Sequence, residues 1–175
     1  MAKRVLMIIA PRNFRDEEFQ EPKAVLEKEG IKVVVASTMA GTAKGMFGAQ
    51  VTPDITIDKV NPAEFDAVIV VGGSGSRTYL WNHSQVQQIV QALHQQDHLV
   101  AAICISPVVL ARAGLLKGKK ATVFPSADAI NELRKAEATI LTAPVVVDGK
   151  IITGKGPEAA KEFGQKIAES LLRRP

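Results

Sequence analysis

The chain has 175 residues, 46% of them hydrophobic and 23% charged, which suits one folded domain and excludes intrinsic disorder. One cysteine, Cys104, excludes an internal disulfide and an all-cysteine metal site, and His83, His94 and His98 show no ligand spacing beside it. The net charge of +4 is scattered, densest at Lys117–Lys120 and Arg173-Arg174, and no aromatic residues interleave with it, so no nucleic-acid partner is expected.

Taken in order, Val5–Ala10 is a β-branched and aliphatic run of the kind a strand buried on both faces carries. Lys3-Arg4 before it imitates a secretory leader, but the run is short and Pro11-Arg12 ends it without a cleavage-like site. Asp16–Glu29 reads as a helix with acids in its first turn and Gly30 as its stop. Ile31–Ser37 is a second buried strand, and Gly41–Val60 breaks into short alternating pieces, a small β excursion. Ala67–Val71 is a strand ending in Gly72-Gly73. Val86, Ile89, Val90 and Leu93 fall at i, i+3, i+4 and i+7, which places one helical face on a sheet. Leu99–Ile103 is the next strand. Pro107–Ala113 is a helix, with Ser106 as its N-cap and Pro107 where a missing N–H costs nothing. Ala121–Phe124 reads as a strand, Ser126–Lys135 as a helix and Val145–Thr153 as a hairpin turned at Asp148-Gly149. Pro157–Leu172 closes the chain, with Ala160, Phe163, Ile167 and Leu171 on one face. No stretch matches the roughly 20 apolar residues of a membrane span. The expectation is a single cytoplasmic α/β domain over residues 1–175, a mostly parallel sheet with helices on both faces and ligands beyond the strands' carboxyl ends.

Three strand ends carry unusual chemistry. In Ala102-Ile103-Cys104-Ile105-Ser106, small residues stand two positions either side of a potential nucleophile, as a sharp strand-to-helix turn requires. The following helix would favour the thiolate; a buried, inert cysteine is the alternative. In Phe14-Arg15-Asp16-Glu17-Glu18 the acids are either dipole complements or, at Glu18, functional. Pro22 denies the Glu18 carbonyl its helical hydrogen bond and would distort the turn there. Gly72-Gly73-Ser74-Gly75-Ser76 is either a flexible turn or one half of an oxyanion site. His94 and His98 read as solvated, and His83 as the one histidine following a site loop.

These three ends, together with Phe65-Asp66-Ala67, Ala113-Gly114-Leu115-Leu116-Lys117-Gly118 and Thr153-Gly154-Lys155-Gly156-Pro157, resemble the DJ-1/PfpI (ThiJ) superfamily. The resemblance implies a flavodoxin-like three-layer sandwich, usually a homodimer or higher homo-oligomer, with Cys104 as an elbow thiolate. It makes Glu18 the acid beside the sulfur and assigns the oxyanion pocket to the N–H groups of Gly73 and Ile105. Two departures stand out: Ile105 replaces the histidine that follows the cysteine in peptidase-like members, and Phe124, before Pro125, replaces one found in glyoxalase-like members. The expected activity is therefore glutathione-independent glyoxalase or deglycase handling of reactive aldehydes, such as methylglyoxal, free or on a glycated protein, without a cofactor or metal. The alternative is a redox sensor or stress chaperone working through oxidation of Cys104, with a cysteine peptidase ranked below both. The Met39–Val51 excursion is expected to cover a dimer interface.

Overall fold

The computed structural model describes residues 2–173; Arg174, the second member of the terminal basic pair, lies outside them. The strands are β1 (Arg4–Ile9), β2 (Arg12–Phe14), β3 (Lys32–Ser37), β4 (Ala43–Gly45), β5 (Gln50–Val51), β6 (Ile55–Thr56), β7 (Ala67–Val70), β8 (Leu99–Ile103), β9 (Lys120–Ala121), β10 (Thr139–Ile140), β11 (Val145–Asp148) and β12 (Ile151–Gly154). The helices are α1 (Asp16–Lys28), α2 (Ser74–Tyr79), α3 (Ser84–Gln95), α4 (Pro107–Arg112), α5 (Ala127–Lys135) and α6 (Ala160–Leu172).

The central sheet has seven strands in the order β11-β12-β8-β7-β1-β3-β6, parallel except for β11. Strands β7, β8 and β12 are buried along their whole length, as is β1 from Val5 onward, which is why their sequences are continuous apolar runs rather than alternating ones. From β1 the chain crosses outward to β3 through α1, and from β7 in the opposite direction to β8 through α3. Right-handed crossovers therefore place α1, with α6 packed on it, on one face, and α3 with α4 on the other. Pro22 sits inside α1 and the helix continues through it; its Cα lies where a β-carbon on Gly164 of α6 would press, so the two helices approach closely there. Val86, Ile89, Val90 and Leu93 are all buried, the stripe the periodicity demanded.

Three expectations need correction. Of the expected 121–124 strand only Ala121 pairs with another strand, as the second residue of β9 in a separate two-stranded sheet with β10. Beyond it the backbone donors go elsewhere: the Thr122 N–H donates to Thr153 Oγ1 (2.9 Å) and the Phe124 N–H to the Cys104 carbonyl (2.8 Å). Ser106 is not a side-chain cap. Its backbone is already helical, and its hydroxyl donates to the Val71 carbonyl instead (2.7 Å). The Gly72–Ser76 segment is no loose turn, since it opens α2 directly at Ser74.

Candidate active site

Strand order reverses between β1 and β7, so the chain leaves these two strands in opposite directions and a crevice opens above their carboxyl ends. The end of β8 completes it. Cys104 follows β8 with φ of 67°, a left-handed conformation that a non-glycine residue adopts only when its surroundings hold it there. The holding bonds are visible. The Cys104 N–H donates to the Gly154 carbonyl (2.9 Å), its carbonyl receives Phe124, and the Ser106 N–H donates to the Ile103 carbonyl (3.1 Å). Under the elbow the fully buried Ser106 spends its one hydroxyl proton on Val71, so Ser76 must donate to Ser106 Oγ (2.7 Å). Trp81 Nε1–H closes the far side on the Ile105 carbonyl (3.0 Å).

Glu18 enters from the first turn of α1 and is fully buried, with neither carboxyl oxygen finding a hydrogen-bond partner of normal geometry among the described residues. A β-carbon on Gly72 would collide with both the Cys104 β-carbon and Glu18 Oε1; the two side chains flank a gap that holds no methyl group. Sequence reasoning named Gly73 and passed over Gly72, whose role rests on this steric fact. Gly73, at φ of 102°, leaves its N–H directed at the sulfur, and the Ile105 N–H does the same from α4's side.

Burial drives the Glu18 carboxyl up to about 8, against the pull of the Cys104 thiol, the Arg15 guanidinium and the Gly72 N–H. Burial also pushes the Cys104 thiol up to about 12, and the negative charge of Glu18 adds to the rise, while the Gly73 and Ile105 N–H groups act in the opposite sense. The expected thiolate is thus corrected: the six-residue α4 does not offset withdrawal of the sulfur from water. Glu18 keeps its proton at neutral pH, because burial penalises its carboxylate form.

The three acids of the first turn have three different placements. Glu17 pairs with Arg15 (2.8 Å), whose guanidinium lies over the Phe47 ring at 4.5 Å. The buried Asp16 carboxylate accepts from the N–H groups of Phe47 (3.1 Å) and Ala49 (2.9 Å) and so ties the β4–β5 hairpin to the site. The hairpin in turn lays Met46 beside Cys104. The resulting cleft, about 190 Å³, is lined by Arg15, Met46, Arg77, Cys104, Phe124 and Pro157 among others. No histidine lines it. His83 caps α3, its Nδ1 accepting from the Val86 N–H (3.3 Å), and His94 is half-buried with Nδ1 turned from water, contrary to the solvated reading. Among the described residues no group of three or more His, Cys, Asp or Glu side chains is placed to hold a metal ion.

A cysteine on a strained strand-to-helix elbow, facing a buried carboxyl and two backbone donors, defines a flavodoxin-like thiol protein. The profile of the DJ-1/PfpI family matches residues 3–170, and the chain belongs to that family. It is 50% identical over 168 residues to an uncharacterised protein of Methanocaldococcus jannaschii, covering 96% of this chain and 82% of that one. A deglycase of Pyrococcus horikoshii is 34% identical over 152 residues, 87% of this chain and 90% of that one. Among solved structures, a ThiJ/PfpI domain protein from Brachyspira murdochii superposes with a TM-score of 0.92 at 33% identity, covering 97% and 96% of the two chains. DJ-1beta of Drosophila melanogaster superposes with a TM-score of 0.88 at 36% identity over 98% and 91%.

Proposed function

We propose that this chain converts reactive dicarbonyls, free or as early adducts on proteins, to hydroxy acids without glutathione, using Cys104 as nucleophile and Glu18 as proton carrier. The observation that carries this reading is the Glu18 carboxyl, fully buried and facing the Cys104 side chain across a gap too narrow for a β-carbon on Gly72. Such a group costs folding free energy. The similarity to proteins named deglycases supports the substrate class.

Ionised Glu18 takes the Sγ proton as sulfur bonds to the aldehyde carbon. The carbonyl oxygen, held by the Gly73 and Ile105 N–H groups, then receives that proton and a hemithioacetal results. The regenerated carboxylate removes the proton from that same carbon while the hemithioacetal hydroxyl proton passes to the neighbouring carbonyl oxygen, giving an enediolate. Glu18 then returns its proton to the neighbouring carbon, leaving a thioester with a hydroxyl beside it. Water cleaves the thioester to a 2-hydroxy acid and frees the thiol. The net change is addition of one water, with no external oxidant or reductant.

The test is lactate formation from methylglyoxal in amine-free buffer. Wild type is expected to form it, Cys104→Ala to form none, and Glu18→Gln to be slower by about 10²–10⁴-fold, the usual contribution of a positioned base. Because burial holds Glu18 near 8, the rate should climb as pH rises through about 8 and level off above it. No lactate above the blank overturns the reading.

Oxidation sensing is the second reading, favoured by the sulfur opening on a cleft with an acid able to donate to a sulfinate oxygen. The raised thiol weighs against it, since peroxide attacks the thiolate. A sulfinic acid confined to Cys104 after mild peroxide is its signature. With Ile105 and Phe124 apolar, no histidine lines the cleft to protonate an amine leaving group, and a peptidase ranks last. Assembly as a homodimer through the exposed Met39, Met46 and Phe47 completes the proposal.

A further inference from the structure

The reaction above engages only the small cleft over Cys104. A larger cavity of about 530 Å³ lies next to it, and Phe124 and Pro157 line both. A three-carbon aldehyde needs no more room than the small cleft of about 190 Å³ offers, so the chemistry proposed for Cys104 leaves this second space unused. Its walls are of two kinds. Phe124, 41% exposed, lies against the Gly156 backbone, where a β-carbon would stand 3.3 Å from Cδ1, and shows its remaining surface to the cavity side and solvent. Glu158, in the 3-10 turn that precedes α6, and Glu162, in the first turn of α6, both line it, and neither joins an ion pair among the described residues. The one cation of the lining, Lys155, directs Nζ to the Thr142 carbonyl (3.5 Å).

An aromatic face with two uncommitted carboxylates suits a guanidinium or ammonium group, attracted by the ring quadrupole and by charge. We infer that the cavity beyond Phe124 is a subsite for a basic peptide arm, an arginine or lysine side chain near the residue that carries the carbonyl adduct. This rests on the function proposed above and refines it, because it makes the preferred substrate an adduct on a basic peptide rather than the free aldehyde. Phe124 is then a specificity-determining residue at the boundary. Its apolar ring, where a histidine was missed, shapes the passage between the two spaces.

The full chain would be assayed on the methylglyoxal hemithioacetals of two peptides, acetyl-Cys-Ala-Arg-amide and acetyl-Cys-Ala-Glu-amide. At low salt kcat/KM is expected to favour the arginine peptide by about tenfold, the sum of one exposed charge contact and one cation–π contact. In a Glu158→Gln/Glu162→Gln protein the ratio should fall toward one. Equal rates in wild type, or a preference that survives the double substitution, overturn the inference. If wild type turns over no carbonyl at all, the functional reading fails, and the subsite is decided by calorimetric titration of unmodified acetyl-Ala-Ala-Arg-amide. Saturable binding weakened by the double substitution supports it, and absence of binding overturns it.

Discussion

Glu18 concentrates the energetics of the site in one residue. Its ordinary value of 4.5 is raised to about 8, so the folded protein holds a proton that the unfolded chain releases above about 4.5. Stability therefore falls as pH climbs from about 4.5 to 8 and gains nothing from this group beyond that. Glu18→Gln keeps the shape without the charge; it should flatten that slope and stabilise the fold at pH 8 by a few kcal/mol, on the order of the shift. At pH 4 it should change little, and thermal melts across the range would read both ends. Ser106 provides a second case. Ser106→Ala strands the Val71 carbonyl and the Ser76 hydroxyl in a dry interior, at a cost of about 1–3 kcal/mol. Urea unfolding followed by emission of Trp81, the sole tryptophan and a neighbour of the elbow, would measure it. The role of Ser106 was hidden in the sequence because serine before proline is the usual mark of a helix cap. Only the position of Val71, 35 residues away, makes it a clamp.

Among the elements, the β4–β5 hairpin depends most on a single tether. Its Gly45 has no room for a β-carbon because the Asp16 carboxylate fills the space, and that carboxylate holds the N–H groups of Phe47 and Ala49. Asp16→Ala should lose both bonds, cost about 1–3 kcal/mol and abolish hydrogen-exchange protection at Phe47 and Ala49 while α1 stays protected. Protection that persists there would mean the hairpin is held by its own strands. Helix α3 shows the opposite case, an element readable from its period alone because an amphipathic stripe is a local property. Segment 121–124 was misread because β-branched composition announces an extended backbone but not its partner. Here the partners are the Thr153 hydroxyl and the Cys104 carbonyl, and this detour delivers Phe124 to the cleft.

For the whole molecule, the proposed homodimer makes a direct claim on solution behaviour. Met39, Met46 and Phe47 are 47%, 39% and 66% exposed on one excursion. Sedimentation velocity should give twice the chain mass, and Met39→Ser/Phe47→Ser should shift it toward one chain; a monomeric wild type would remove the assignment. Among the described residues no helix is long and apolar enough to cross a membrane. The parallel sheet, its buried strands and most helices were legible in the sequence, as hydrophobic periodicity and glycine stops are written over short stretches. The elbow at Cys104 left a mark in its small flanking residues, whereas Glu18, Gly73 and Ile105 were proposed beside it only through the resemblance to the family. What only the tertiary structure decided was the state of those groups. Whether a thiol ionises, which of three adjacent acids faces it, and which glycine must stay small depend on how much water and which neighbours surround them. Those neighbours come from β1, β7, β8 and the β4–β5 hairpin, distant in the chain and brought together only at the point where the sheet reverses its strand order.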